Sequence, residues 1–148
     1  MRICVDTAIL IDILKDEFRR YQEMLYDALR KGEDLVARVV VYAELIPQFQ
    51  GDARPLQQFL REHTVDVQPL DVDAVTAAAN AWVKYLKRKT RARCPRCGHD
   101  LGRRERFLSD FYIGGFALAK CDAILTRDRG IYRTHFRDLV GYQGCLNG

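Results

Sequence analysis

The sequence predicts an α/β fold: a central parallel sheet of four to five strands, covered by helices on both faces. Three observations carry this. Short apolar runs near residues 2–5, 35–37, 65–70 and 123–125 alternate along the chain with stretches of helical periodicity. Strands separated by helices are joined by crossovers, which makes them parallel and buries both faces of the sheet. At 148 residues, 48% of them apolar, the chain is long enough for one sizeable core and too short for two. A single domain over residues 1–148 is therefore expected, and no internal repeat is visible.

Each element has a local cause. Residues 2–5 form the first strand, and Asp6-Thr7 then opens a helix whose first amides either residue can cap. Helical spacing returns through residues 18–31 (Phe18, Tyr21, Met24, Leu25, Ala28, Leu29) until Gly32 stops it. Residues 35–37 are the second strand. Helices follow over 40–50 and 53–61, and Val65, Val67 and Leu70 mark the third strand. Asp71 caps a long, alanine-rich helix to about residue 89, with Trp82 and Leu86 on its apolar face. Glycine and proline break the pattern between 90 and 104. A helix over 108–120, a strand at 123–125 and a turn at 126–128 complete the series. Trp82, Phe111 and Phe116 are expected to build core, and Gly114-Gly115, costly within a helix, implies close packing against the sheet.

Composition excludes several classes. Glycine and proline total 14 residues, against collagen-like, low-complexity or disordered readings. No uncharged run exceeds ten residues, so no membrane-spanning helix is expected. Asp6 and Asp12 interrupt the apolar amino terminus, so no signal peptide is expected either. Five cysteines, an odd number unevenly placed, do not resemble a disulfide framework, and a reducing cytoplasm is the expected location. The net charge is +4, yet the segment from Lys84 to Arg106 holds ten basic residues against two acids. The remainder has 14 basic and 18 acidic residues. A cationic stripe on a mildly acidic body suits a polyanion such as nucleic acid, or else a solvated helix end.

Open α/β sheets gather ligands at the carboxyl ends of their strands. Asp6 follows the first strand and Asp128 the last. Glu44 and Asp110 lie near helix starts in otherwise apolar surroundings, where an uncompensated charge is costly. Four carboxylates brought together would raise one another's pKa unless cations neutralised them, and Mg²⁺ or Mn²⁺ bound through carboxylate oxygens would do so. Each acid also has a plain structural role open to it: Asp6 as an N-cap, Asp110 as a cap on its own helix, Asp128 as a turn former.

The opening Arg2-Ile3-Cys4-Val5-Asp6-Thr7-Ala8-Ile9-Leu10-Ile11-Asp12 resembles that of PIN domains, particularly the VapC-type toxins. Ser109-Asp110-Phe111, residues 119–124 and Thr126-Arg127-Asp128-Arg129-Gly130-Ile131-Tyr132 are similar to their carboxyl-terminal half. Glu44, in Val41-Tyr42-Ala43-Glu44, stands where that family carries its second acid. The resemblance spans nearly the whole chain except about residues 90–106. It implies a three-layer α/β/α fold and a metal-dependent endoribonuclease. Asp6, Asp110 and Asp128 would hold Mg²⁺ or Mn²⁺ and Glu44 would complete the catalytic site. Thr7 and Thr126 would add hydroxyl contacts near metal or phosphate. Asp12 is expected to be a surface helix acid and Asp122 a strand-edge acid. The resemblance also implies a small antitoxin partner whose segment reaches the acidic site, and a homodimer. A stand-alone RNA-processing nuclease is a second reading. A third is a nucleic-acid-binding module in which the acids are structural.

The basic segment at about 90–106 departs from the family pattern. Its Cys94-Pro95-Arg96-Cys97-Gly98 has the spacing and following glycine of a zinc knuckle. With His99 it offers at most three ligands, leaving a fourth to Cys121, Cys145 or another subunit. A reduced loop or an adventitious disulfide are the alternatives. Arg91, Arg93, Arg103 and Arg104, with Arg88 and Arg96, would contact RNA phosphates without reading sequence. Cys4 and Cys121 are expected as small core residues, and His63 and His135 at the surface.

Overall fold

A computed structural model describes residues 1–88, 93–99 and 108–147. Strands β1 (Arg2–Val5), β2 (Asp34–Arg38), β3 (Val65–Gln68) and β4 (Ala123–Leu125) form one parallel sheet in the order β3-β2-β1-β4. Ile3 lies opposite Leu35 on one side and Ala123 on the other, which places apolar residues of three strands at one level. Ile124 also bridges Gly141, so the C-terminal segment adds one parallel contact beyond β4.

Helices α1 (Thr7–Lys15) and α2 (Arg19–Arg30) connect β1 to β2. Helices α3 (Val39–Leu45) and α4 (Ala53–Glu62) connect β2 to β3, while α5 (Val72–Arg88) and α6 (Ser109–Lys120) lie between β3 and β4. The chain moves outward from β1 to β3 and then crosses to the far side of β1. Right-handed crossovers therefore divide α1–α4 and α5–α6 between the two faces. Helix α6 packs on β1, β2 and β4 and against α5, and α1 packs on α2 and α3. The result is a three-layer α/β/α arrangement around a core that includes Ile3, Val5, Leu10, Leu25, Val36, Phe111 and Phe116.

Differences from the sequence expectation have local causes. The helix expected over 40–50 splits into α3 and a 3-10 turn at Ile46–Phe49. Pro47 lacks the amide that would continue the α-helical ladder. Strand β3 ends before Pro69, leaving Leu70 exposed. A further helix, α7 (Arg129–His135), follows the 126–128 turn; it is only seven residues long, with Tyr132 buried and Phe136 buried one turn on. Gly114 and Gly115 do permit close packing, though against helix and ring instead of the sheet. A Cβ on Gly115 would lie 2.6 Å from Ala78 N, and one on Gly114 2.6 Å from the Phe136 ring. Phe111 and Phe116 are buried and Trp82 stands edge-on to Phe111 at 5.2 Å, so these aromatics are core as expected. Among the described residues no helix is long and apolar enough to cross a membrane.

Candidate active site

The sheet order reverses direction at β1, which has β2 on one side and β4 on the other. A crevice at the carboxyl edge is expected there, between the ends of β1 and β4. Asp6 leaves β1 at this point, its amide donating to Leu125 O at 3.0 Å. Although it occupies the N-cap position of α1, its side chain makes no capping bond. It accepts instead from Thr126 Oγ1 at 2.6 Å, across the crevice. Thr126, fully buried at the end of β4, in turn accepts from the Asp128 amide at 3.0 Å.

Asp6 is 3% exposed. Burial pushes its carboxyl up to about 7; the Thr126 hydrogen bond opposes this, and the Asp110 and Glu44 charges add to it. Asp110 stands in the first turn of α6, where Leu108 is the N-cap, so it is no cap itself. Its carboxyl is also raised, by burial first and then by the charges of Asp128 and Glu44. Glu44, half-buried on α3, accepts a short hydrogen bond from Thr7 Oγ1. Asp128 does act as the N-cap of α7, accepting from Gly130 N at 3.0 Å. Four carboxylates from four separate chain segments thus lie close enough to act on one another.

Three further groups near this edge are not legible in the sequence. Tyr132 on α7 is fully buried, and its hydroxyl finds no hydrogen-bond partner among the described residues. Burial raises its phenol well above the usual range, and the charges of Asp6 and Asp110 act in the same direction. Asp12 is fully buried, correcting its assignment to the surface; Arg127 Nε reaches both of its oxygens, at 3.1 and 2.9 Å. Arg38, at the end of β2, is also fully buried. Its Nη1 donates to Pro69 O and its guanidinium lies 4.3 Å from the Phe116 ring centroid. None of the three has a signature in a single sequence, because each depends on residues distant along the chain.

The donor chemistry fits a hard divalent cation: carboxylates and hydroxyls, one carboxylate deeply buried, and an orphaned phenol beside them. As the side chains stand, Asp6 turns to Thr126 and Glu44 to Thr7. Among the described residues no three His, Cys, Asp or Glu side chains are grouped as a metal-binding set. Carboxylates without a shared counter-charge repel, which favours this splayed arrangement.

A cleft of about 440 Å³ runs between α5 and the end of α7, lined by Asn80, Lys84, Arg88, Thr134, His135 and Arg137 among others. His135 is half-buried, stacked edge-on to Tyr85 at 5.2 Å, which corrects its expected surface placement. His63 is half-buried too, with Nδ1 2.8 Å from Phe59 O. Helix α7 leads from Asp128 to this cleft, a distance of about 10 Å at 1.5 Å per residue. Of the arginines expected to contact RNA, Arg93 is exposed, while Arg91, Arg103 and Arg104 lie outside the described residues. Cys94 and Cys97 are free thiols, and His99 is exposed and not grouped with them as a three-ligand set. Cys121 and Cys145 do not complete a metal set with them among the described residues.

Among solved structures, the chain is similar to a structure of VapBC-1 from nontypeable Haemophilus influenzae. The likeness has a TM-score of 0.61 at 20% identity, over 95% of this chain and 96% of that one. The two chains share a fold. No family model matches the chain, and no curated protein does. The shared fold is that expected from the PIN and VapC resemblance.

Proposed function

We propose that this chain is a metal-dependent endoribonuclease of the PIN type, acting as the toxin of a VapBC-type pair. The observation that carries the reading is Asp6: buried, raised to about 7, and repelled by Asp110 and Glu44 at the carboxyl edge of the sheet. A buried carboxylate in that position is costly unless a cation neutralises it on use. The fold shared with VapBC-1 supports the toxin assignment and a small antitoxin as partner. A homodimer is part of the same proposal.

Asp6, Asp110 and Asp128 would hold Mg²⁺ or Mn²⁺, with Glu44 completing the site. Held by these residues, the ion would supply Lewis-acid activation of water and charge stabilisation at a phosphodiester. Thr126 orients Asp6 through its hydroxyl, and Thr7 orients Glu44. Lys84, Arg88 and Arg137 would hold substrate phosphates in the cleft at the far end of α7. Exposed Arg93 would add a further contact.

The ungrouped state of the carboxylates favours one competing reading, a nucleic-acid-binding module in which the acids are structural. Purified protein incubated with a structured RNA pool and Mg²⁺, Mn²⁺ or EDTA separates the two. An enzyme cleaves only with metal, and Asp110→Asn abolishes turnover while RNA affinity stays within about twofold, because the substitution leaves phosphate contacts intact. Binding without cleavage, unchanged in Asp110→Asn, supports the binding module instead.

A further inference from the structure

The 93–99 turn carries two thiols that the proposed carboxylate site does not use. The Cys94 amide donates to His99 O and the Gly98 amide to Cys94 O, both at 2.9 Å. Gly98 closes the turn at φ +68°, a conformation that glycine adopts without penalty. Two thiols three residues apart are thereby set on one tight turn. The deprotonated thiol is the form that ligates zinc.

Tetrahedral zinc takes four ligands, and this turn supplies two. Among the described residues no third His, Cys, Asp or Glu side chain is grouped with the pair. The chain's other cysteines are Cys4, Cys121 and Cys145, and its other histidines His63 and His135. Cys4 and Cys145 are buried in the core, Cys145 Sγ donating to Ile124 O at 3.2 Å, and Cys121 interacts with Cys4. His63 packs on Phe59, and His135 on Tyr85. Residues 89–92 and 100–107 contain no cysteine or histidine. Meanwhile Cys97 is exposed and Cys94 partly so, leaving the pair open to approach from outside.

We propose that the Cys94–Cys97 turn is half of a structural zinc site, completed by the same two cysteines of a second copy of this chain. Four thiols each release a proton to solvent on binding, and the resulting tetrathiolate centre carries a net charge of −2. The two copies bring Arg93 and Arg96 twice over, all exposed and next in sequence to the cysteines, as counter-charge. The site is distinct from the proposed carboxylate centre and does not depend on its activity.

The test is metal analysis and light scattering of the full chain, purified without chelator after growth in zinc, beside Cys97→Ser, Cys94→Ser and His99→Ala. Circular dichroism checks that each variant is folded, which is expected for substitutions on an exposed turn. We expect about one zinc per two chains, loss of zinc in both serine variants, and a halving of the assembly mass on chelation. His99→Ala should keep both zinc and mass. Zinc at one per chain, zinc retained in Cys97→Ser, loss of zinc in His99→Ala, or a mass unchanged by chelation would each overturn the shared site. Absence of zinc in the wild-type protein would overturn it outright.

Discussion

Arg127 Nε lies 3.1 and 2.9 Å from the two carboxylate oxygens of Asp12, pinning the turn after β4 to the buried face of α1. The guanidinium is also 4.4 Å from the Phe18 ring centroid, so it is gripped between an anion and an aromatic face. This pair sets the neighbouring residues, since Thr126 and Asp128 flank Arg127 and both belong to the acidic edge. Arg127→Ala strands a fully buried carboxylate, and an unfolding loss of about 3–5 kcal/mol is expected. Urea denaturation measures it. Asp12→Leu combined with Arg127→Met should lose much less, because both charges leave together.

Asp6 gives the metal-free protein a distinctive pH dependence. Its carboxyl is raised from 3.8 to about 7 on folding, so the native state binds the proton more tightly than the unfolded chain. The associated stability is full below 3.8 and is lost as pH rises to about 7, at up to about 1.4 kcal/mol per pH unit. Denaturant midpoints measured across the weakly acidic to neutral range should fall less steeply in Asp6→Asn than in the wild type. Above that range, Mg²⁺ or Mn²⁺ should raise the midpoint of the wild type and leave that of the variant unmoved.

The cleft lined by Lys84, Arg88 and Arg137 makes a separate claim on RNA affinity. Lys84→Glu with Arg88→Glu should weaken binding of unrelated single-stranded RNAs to a similar degree. The slope of log affinity against log salt should become shallower by about 0.7 for each phosphate that the variant no longer neutralises. Fluorescence anisotropy across a salt series reads both quantities. A change confined to one RNA sequence would contradict a backbone-only role.

Helix packing supplies a test of the fold itself. At Gly115 an added Cβ would meet Ala78 N at 2.6 Å and Ala74 O at 2.7 Å, both backbone atoms that cannot step aside. Gly115→Ala should therefore cost about 1–3 kcal/mol through separation of α5 from α6. Gly130→Ala, whose Cβ would meet only Asp128 Oδ1 at 3.5 Å, should leave thermal stability unchanged or slightly higher. Differential scanning calorimetry compares the two variants directly.

The strands and most helices are legible because each rests on a local cause: an apolar run, a capping aspartate, a stopping glycine. Helix α7 spans only seven residues, and the 3-10 turn at Ile46–Phe49 follows from Pro47 within an otherwise helical pattern. Asp12 reads as a surface acid because aspartate on a helix is usually solvated. Its partner lies 115 positions away, and no local pattern points to it. His135 reads as a surface residue for the same reason, its ring neighbours being on α5 and α6. Asp6 reads as a cap, and only the return of β4 beside β1 gives its carboxylate to Thr126.

By itself, the sequence determined a parallel α/β architecture and nominated Asp6, Glu44, Asp110 and Asp128, since periodicity, caps and acids in apolar settings are properties of short segments. The tertiary structure decided that these acids share one edge and act on one another. It also decided that buried Asp12 pairs with a half-exposed Arg127, and that the Tyr132 hydroxyl is buried without a hydrogen-bond partner among the described residues. Those facts depend on the strand order β3-β2-β1-β4. Electrostatic coupling and burial are set by distance in space, and the crossover from β3 to β4 creates that proximity.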